Sequence, residues 1–184
     1  IANACTGEEG KKLNYYMVSC IAKETGVKPE EILTASTGVI GMQLSEEPLQ
    51  RGAALLKEHL AKDENAGHQA AKAIMTTDTV SKEAAFSFEV DGKEVHVGGM
   101  SKGSGMIHPN MATMLSVTTT DAAIAKEDLQ KIVSEVVSDT FNMISVDRDT
   151  STNDTYLVLA NGASSVTIEK GTEAYDLFKE AVLA

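Results

Sequence analysis

The stretch from Gly98 to Thr113 constrains the fold of this chain more than any other. It contains four glycines within eight residues, namely Gly98, Gly99, Gly103 and Gly105. Because glycine lacks a β-carbon, it adopts backbone conformations closed to other residues and lets neighbouring groups approach closely. The sequence therefore predicts a tight, irregular loop up to Asn110. A strand over 113–119 is expected to follow the loop directly.

The patterns on either side predict mixed α and β structure with strands in the interior. Alternating residues at 85–90 and 93–97, joined by Asp91 and Gly92, are typical of a β-hairpin. Apolar residues at helical spacing predict helices over 8–26, 45–61, 65–75, 126–141 and 172–183. Short apolar runs predict further strands at 32–35, 156–160 and 165–168. The Ser45 side chain is expected to cap the helix that follows it.

Charge and hydropathy exclude two classes of function. Acidic residues outnumber basic ones 27 to 16, which gives a formal net charge of −11. Such a field repels nucleic-acid phosphates and anionic membrane surfaces. No apolar run approaches the roughly 20 residues that span a bilayer, and the first residues lack the features of a signal peptide. We therefore expect a cytoplasmic protein without a nucleic-acid or membrane partner.

The cysteines and histidines predict neither a disulfide framework nor a metal site. Cys5 and Cys20 are interpreted as two reduced thiols, with a bridge between them as the less favoured alternative. The four histidines show no metal-ligand spacing. We therefore expect no bound metal.

Thr113 has two interpretations, and its spacing does not decide between them. In the first, it is a β-branched residue that opens a strand, which is the usual role of an isolated Ala-Thr pair. In the second, its hydroxyl attacks the carbonyl of Ala112, and water then opens the resulting ester. The α-amine released on Thr113 would have a pKa of about 7.7–8.0 and could act as a base beside its own hydroxyl.

The run from Lys102 to Leu115, KGSGMIHPNMATML, resembles the self-cleavage segment of the ornithine acetyltransferase family. That family is also called bifunctional glutamate N-acetyltransferase. Three other stretches resemble the family in the same order, and they are 2–7 (ANACTG), 36–41 (STGVIG) and 149–154 (DTSTND). The resemblance covers almost the whole chain and favours the self-cleavage interpretation of Thr113.

The resemblance implies an α/β fold of the ornithine acetyltransferase (DmpA/ArgJ-like) type, a self-processing N-terminal-nucleophile enzyme with sheets between helices. It implies cleavage between Ala112 and Thr113. Residues 1–112 would then be the C-terminal part of the α-chain region, and 113–184 the N-terminal part of the β-chain region. The family has further material on both sides, including part of the substrate pocket, so this chain would be a partial copy. Two α and two β chains are expected to form a heterotetramer.

The implied activity is transfer of the acetyl group of N2-acetyl-L-ornithine to L-glutamate through an acetyl-threonine intermediate, a step of arginine biosynthesis. Bifunctional members of the family also use acetyl-CoA as the donor, and no tightly bound cofactor is required. Two alternatives stay open. The chain could belong to a self-cleaving N-terminal-threonine aminopeptidase or amidase that passes the acyl group to water, or it could be an inactive truncated fragment.

The resemblance also assigns roles to individual residues. Thr113 would be the nucleophile, while the Thr37 hydroxyl and the Gly38 backbone N–H would form the oxyanion hole. Lys102 and Thr76 would contact substrate, with Thr77 a near-equal candidate for the position of Thr76. The polar run 149–154 is interpreted as a turn rich in hydrogen bonds between side chains and backbone, supporting the active site.

Overall fold

The computed structural model describes residues 2–4, 6–107 and 114–184. The predicted cleavage site, Ala112 and Thr113, lies outside these residues. The chain forms two compact units, Ile1–Ala70 and Ala71–Ala184. None of the helices described is long and apolar enough to cross a membrane. Within the same ranges, no group of three or more His, Cys, Asp or Glu side chains is arranged to hold a metal ion.

The first unit is helical. Helix α1 spans Gly7–Thr25, a 3₁₀ turn spans Pro29–Glu31, and α2 spans Glu46–His59. Helix α1 ends at Gly26, whose positive φ of 77° lets its N–H bind the Ala22 carbonyl at 2.9 Å. Helix α3 follows at Glu64–Ala73. The helices predicted at 8–26, 45–61 and 65–75 are thus confirmed, with small differences at their ends.

Two details predicted for this unit are wrong. Residues 32–35 form no strand. Leu33 is 59 % exposed, and Thr34 donates a hydrogen bond from Oγ1 to Asn14 Oδ1 at 2.6 Å. Residues 32–35 are therefore held against α1 by a side-chain hydrogen bond, and they make no backbone pairing with a described strand. Ser45 stands at the N-cap of α2 as predicted, but its side chain makes no capping hydrogen bond.

The second unit is built on a four-stranded sheet. Strands β1 (Lys82–Val90) and β2 (Lys93–Lys102) form the predicted hairpin. Its turn residues, Asp91 and Gly92, have φ values of 50° and 75°, as a two-residue turn with the twist of the flanking strands requires. Strand β3 (Leu115–Thr120) pairs antiparallel with β2.

The remaining elements complete the sheet and cover it. They are β4 (Ala123–Ile124), α4 (Lys126–Asp139), β5 (Thr155–Ala160), β6 (Thr167–Ile168) and α5 (Glu173–Leu183). The sheet order is β1-β2-β3-β5, with β5 parallel to β3, and β4 pairs with β6 in a separate two-stranded sheet. A 3₁₀ turn at Phe141–Met143 follows α4. The mixed α/β fold predicted from the sequence is confirmed.

Helices α4 and α5 pack against the sheet through one hydrophobic core. Val95 of β2, Ile132 of α4 and Phe178 of α5 are fully buried, and burial of each such side chain stabilises the fold by about 2–3 kcal/mol. The rings of Phe88 and Phe178 meet edge to face at 6.5 Å. Lys179 Nζ also binds Glu135 Oε2 at 2.6 Å, which ties α5 to α4.

The loop predicted from Gly98 begins later than expected, because β2 continues to Lys102. A β-carbon on Gly99 would lie only 2.9 Å from Thr118 Oγ1 on β3. Gly99 therefore allows β2 and β3 to lie close together, and it does not interrupt β2. Only the part after Lys102 is irregular in the described residues.

The two cysteines are not both described. Cys20 is a free thiol, and Cys5 lies outside the described residues.

Candidate active site

The proposed oxyanion-hole residues, Thr37 and Gly38, lie in a bend of the first unit that is braced by the start of the chain. Ala2 N–H donates to the Val39 carbonyl at 2.8 Å, and Asn3 N–H donates to Ser36 Oγ at 2.9 Å. Two of the stretches that carry the family resemblance therefore contact each other. This bracing fixes the backbone on both sides of the Thr37–Gly38 peptide.

The bracing depends on a small polar network around Asn3. Its side-chain nitrogen donates to the Gly10 carbonyl at 2.9 Å, and its Oδ1 accepts from Thr6 Oγ1 at 2.9 Å. A β-carbon on Gly10 would come within 2.6 Å of Asn3 Oδ1, so the network requires glycine there. Gly38 itself has a φ of 130°, a backbone conformation that residues other than glycine rarely adopt.

Asp78 organises the proposed substrate contacts in the second unit. Its Oδ1 accepts from Lys82 Nζ at 2.7 Å and from the Gly103 N–H at 2.8 Å. Its Oδ2 accepts from the Thr76 N–H at 3.3 Å and lies 4.0 Å from Lys102 Nζ. The two predicted substrate contacts, Thr76 and Lys102, are thus brought together by a carboxylate that sequence reasoning missed.

The charges of this Asp78 cluster do not cancel. The side chains of Asp78 and Lys102 are 0 % and 3 % exposed, whereas that of Lys82 is 45 % exposed. Among the residues that the structure describes here, one carboxylate faces two ammonium groups, which leaves one positive charge in excess. Asp78 is the partner of the buried Lys102, so the excess lies towards the half-exposed Lys82, where a ligand that carries a carboxylate can pair with it.

The pKa of Asp78 reflects the same contacts. Burial alone would raise it, but the hydrogen bonds from Lys82, Gly103 and Thr76 outweigh burial and lower the pKa to about 2. The group is therefore anionic at any physiological pH.

The two candidate threonines play different roles. Thr77 Oγ1 lies 2.6 Å from Ser104 Oγ, so its hydroxyl is engaged with the glycine-rich loop. Thr76 contributes its backbone N–H to Asp78, and the residue is exposed. Thr77 is exposed as well, so the choice of Thr76 over Thr77 as the substrate contact stays a prediction.

A separate groove of about 400 Å³ opens on the core face of the sheet beside this cluster. Lys82, Ser101 and Tyr156 line it, together with Phe141 and the end of α5. Burial raises the pKa of the Tyr156 phenol, whose oxygen accepts a long hydrogen bond from Thr118 at 3.5 Å. Among the described residues that line this groove, neither Thr76 nor Lys102 appears.

The segment 146–155 contacts the chain on both sides of the predicted cleavage site. Asp147 accepts hydrogen bonds from the N–H groups of Met106 and Ile107 at 2.6 and 2.9 Å. Asp154 Oδ1 accepts from the Met114 N–H at 3.1 Å. The hydrogen bonds from Met106 and Ile107 lower the pKa of Asp147, and burial raises that of Asp154.

The predicted turn within 149–154 is confirmed. Asp149 N–H donates to Asp147 Oδ1 at 3.2 Å, and Asn153 N–H donates to Ser151 Oγ at 3.0 Å. Arg148 has a positive φ of 68°. The turn therefore stays compact through side chains that bind the backbone two residues away.

Comparison with known proteins places these features in context. The chain matches the ArgJ family over residues 1–184. It is 51 % identical over 182 residues to the arginine biosynthesis bifunctional protein ArgJ 1 of Clostridium acetobutylicum, covering 98 % of this chain and 44 % of that protein. It is 47 % identical over 184 residues to ArgJ of Bacillus subtilis, covering 100 % of this chain and 44 % of that protein.

A solved structure is also similar. The crystal structure of ArgJ from Bacillus halodurans matches with a TM-score of 0.54 and 40 % identity, over 60 % of this chain and 57 % of that chain. The chain spans less than half the length of the curated relatives it matches.

Proposed function

This chain belongs to the ArgJ family, and on that premise we propose that it is part of an acetyltransferase whose nucleophile is Thr113. The enzyme moves the acetyl group of N2-acetyl-L-ornithine to L-glutamate, and acetyl-CoA is an alternative donor. Its curated relatives are named as bifunctional proteins of arginine biosynthesis. We also propose a cytoplasmic location, which a biosynthetic role of this kind supports.

The first step is self-cleavage. The Thr113 hydroxyl attacks the carbonyl of Ala112, the peptide bond breaks, and the acyl group passes to the threonine oxygen as an ester. Water hydrolyses that ester, which leaves a carboxylate on Ala112 and restores the hydroxyl. The α-amine of Thr113 is then free to act as a base near neutral pH.

The second step is acyl transfer in two halves. The α-amine of Thr113 takes the hydroxyl proton while the oxygen attacks the acetyl carbonyl of acetylornithine. The Thr37 hydroxyl and the Gly38 N–H donate to the oxyanion, and each such donor is typically worth about 10²–10³ in rate. Ornithine leaves with the proton on its amine. The glutamate amine then attacks the acetyl-threonine ester and gives up one proton to the α-amine of Thr113. The bond between the acetyl carbon and the threonine oxygen breaks, the α-amine returns the proton to that oxygen, and acetylglutamate departs.

The observation that carries this proposal is the excess positive charge of the Asp78 cluster, in which one carboxylate faces the ammonium groups of Lys82 and Lys102. Acetylornithine and glutamate both present an α-carboxylate, which can pair with that excess charge. Because the nucleophile supplies its own base, this chemistry requires neither a metal nor a tightly bound cofactor.

The sheet supports the idea that the two cleavage products stay together. Strand β2 precedes the predicted junction and β3 follows it, yet they pair in register from Val97–Thr120 to Lys102–Leu115. Cleavage between Ala112 and Thr113 would therefore leave a continuous sheet that holds both products. We propose that two such pairs assemble into a heterotetramer.

Incubation with acetylornithine, with and without glutamate, tests the proposal. An acetyltransferase forms acetylglutamate and turns over only when glutamate is present; without glutamate it releases at most one equivalent of ornithine per Thr113, as the acetyl-threonine forms. A hydrolase of the aminopeptidase or amidase kind releases free acetate regardless of glutamate. Thr113→Ala is expected to abolish both reactions, and transfer at the parental rate by this variant would refute the proposal.

A further inference from the structure

We propose that Asp147 and Asp154 are positioning residues for self-cleavage. Their carboxylates bind described backbone on the two sides of the predicted junction, at Met106 and Ile107 before it and at Met114 after it. This inference rests on the proposed function, since it assigns residues to the first step of that function. Neither residue was given this role by the family resemblance.

Asp147 holds the upstream side. One carboxylate accepts from two consecutive N–H groups, those of Met106 and Ile107, at 2.6 and 2.9 Å. Such charge-assisted hydrogen bonds are roughly twice as strong as neutral ones. Met106 has a φ of 59°, which costs about 1–2 kcal/mol for a residue with a side chain. The carboxylate offsets this cost and aligns both amides.

The backbone of the same segment strengthens the contact. Val146 N–H donates to the Ile107 carbonyl at 2.9 Å. Ile107 is therefore bound at its N–H by the Asp147 side chain and at its carbonyl by the neighbouring backbone. It is also 5 % exposed, so packing adds to the polar contacts. These contacts therefore fix Ile107, the last described residue before the junction.

Asp154 holds the downstream side in a matching way. The Met114 N–H donates to Asp154 Oδ1 at 3.1 Å, and the Met114 carbonyl accepts from the Thr155 N–H at 2.9 Å. Met114 is 6 % exposed and leads into β3, which pairs with β5 from Leu115–Thr155 onward. Both backbone groups of the residue after Thr113 are thus fixed.

The two contacts share one physical purpose. An intramolecular attack is fast only when the reacting atoms are held about 3–3.5 Å apart with the correct alignment, and a misplacement of about 1 Å can cost 10²-fold in rate. Near the two ends of segment 146–155, Asp147 binds residues before the junction and Asp154 binds Met114 after it. The segment thereby fixes Ile107 and Met114, the described residues that flank the junction.

The test measures the rate of self-cleavage by denaturing gel electrophoresis, starting from uncleaved precursor refolded from denaturant. Asp147→Ala and Asp154→Ala are each expected to slow cleavage about 10–100-fold. Asp149→Ala is the matched control, because it removes an exposed carboxylate from the same turn. It is expected to cleave at the parental rate.

Asparagine variants separate positioning from simple loss of folding. Asp154→Asn keeps an oxygen that can accept from Met114, so cleavage close to the parental rate is expected. In Asp147→Asn only one side-chain oxygen remains to accept hydrogen bonds from the N–H groups of Met106 and Ile107. Its rate of cleavage should therefore lie between those of the parent and the alanine variant. Thermal unfolding, measured with Thr113→Ala added to block cleavage, should show the asparagine variants folded at the parental melting temperature.

The outcomes distinguish this inference from the proposed function. If the parent never cleaves, the proposed function fails and this inference fails with it. If the parent cleaves and both alanine variants cleave at the same rate, only the inference fails. Equal slowing by Asp149→Ala would also overturn it, since the effect would then belong to the turn as a whole.

Discussion

Asp78 Oδ2 lies 4.0 Å from Lys102 Nζ, and both side chains are almost completely excluded from solvent. The same carboxylate binds Nζ of the half-exposed Lys82 at 2.7 Å and the Gly103 N–H at 2.8 Å. Lys102 ends β2, and Gly103 begins the loop that leads to the predicted cleavage site. The pair therefore connects Lys102, the proposed substrate contact, to the start of that loop.

Replacement of Asp78 by alanine should destabilise the protein by about 3 kcal/mol or more, because it leaves the buried Lys102 ammonium without its partner. Urea unfolding measures this loss. Adding Lys102→Met should recover part of it, since the uncompensated charge is then gone.

Lys82→Met is the control for that experiment. The Lys82 side chain is 45 % exposed, so its loss should cost about 1 kcal/mol or less. A free energy of unfolding for Asp78→Ala within about 0.5 kcal/mol of the parent would contradict a buried, paired Asp78.

The depressed pKa of Asp78, about 2, predicts a defined loss of stability in acid. A carboxylate whose pKa is lower in the folded state stabilises the protein above its unfolded pKa of about 3.9, and this contribution disappears as the pH falls through the folded value. The full contribution is about 2–3 kcal/mol. Unfolding free energies of the parent and Asp78→Asn, compared from about pH 6 to about pH 2, should converge at the acid end.

This comparison isolates Asp78 from other carboxylates with lowered pKa values, such as Asp121 and Asp147, because they titrate in both proteins. A constant difference between the two curves across the whole range would show that Asp78 does not titrate as described.

The neighbouring glycines of β2 should respond differently to alanine. A β-carbon at Gly99 would lie 2.9 Å from Thr118 Oγ1, whereas one at Gly98 would lie 3.9 Å from Ala85 Cβ. Gly99→Ala should therefore cost about 1–2 kcal/mol, and Gly98→Ala should be nearly neutral. Adding Thr118→Ala should relieve the cost of Gly99→Ala. Equal effects at both glycines in thermal unfolding would argue against close strand approach.

His96 and Asp121 predict a second dependence on pH. The hydrogen bond from the ring to Asp121, with 2.8 Å between His96 Nδ1 and Asp121 Oδ2, raises the pKa of His96. The protonated ring therefore stabilises the fold fully below about pH 6.5, and this contribution is lost as the pH rises through the higher folded value.

NMR titration of the His96 ring checks this. Asp121→Asn should lower the pKa of His96 markedly, whereas Glu94→Gln should lower it less, because Glu94 lies 3.6 Å from the other ring nitrogen and only adds charge. An unchanged pKa in Asp121→Asn would contradict the pairing.

Local sequence patterns predicted most of the elements but misjudged glycines and short runs. The hairpin at Asp91 and Gly92 was predictable because its turn chemistry is local. Gly98 and Gly99 were interpreted as a loop because glycine disfavours strands, but the tight contact with Thr118 depends on a strand far along the chain. The apolar run at 32–35 has a strand-like pattern, but whether a strand lies beside it depends on the fold and cannot be predicted from the run itself.

Residues of the candidate site were predictable only where they belong to a motif that resembles the family. Lys102 and Thr76 were found by resemblance, and the structure brings them together. Asp78 carried no signal of its own, because its contacts with Lys102 and Gly103 arise from the fold of the sheet. Asp147 lies just outside the polar run 149–154, and the role proposed for it rests on its hydrogen bonds to Met106 and Ile107, which the sequence pattern does not show.

The most direct test is intact-mass analysis and N-terminal sequencing of the refolded precursor. We expect two products, 1–112 and 113–184, whose masses sum to that of the precursor plus one water, with Thr113 as the new N-terminus. Thr113→Ala should remain a single chain under the same conditions. An intact precursor that forms acetylglutamate from acetylornithine at full rate, with the peptide bond between Ala112 and Thr113 unbroken, would contradict the role of Thr113 as an N-terminal nucleophile.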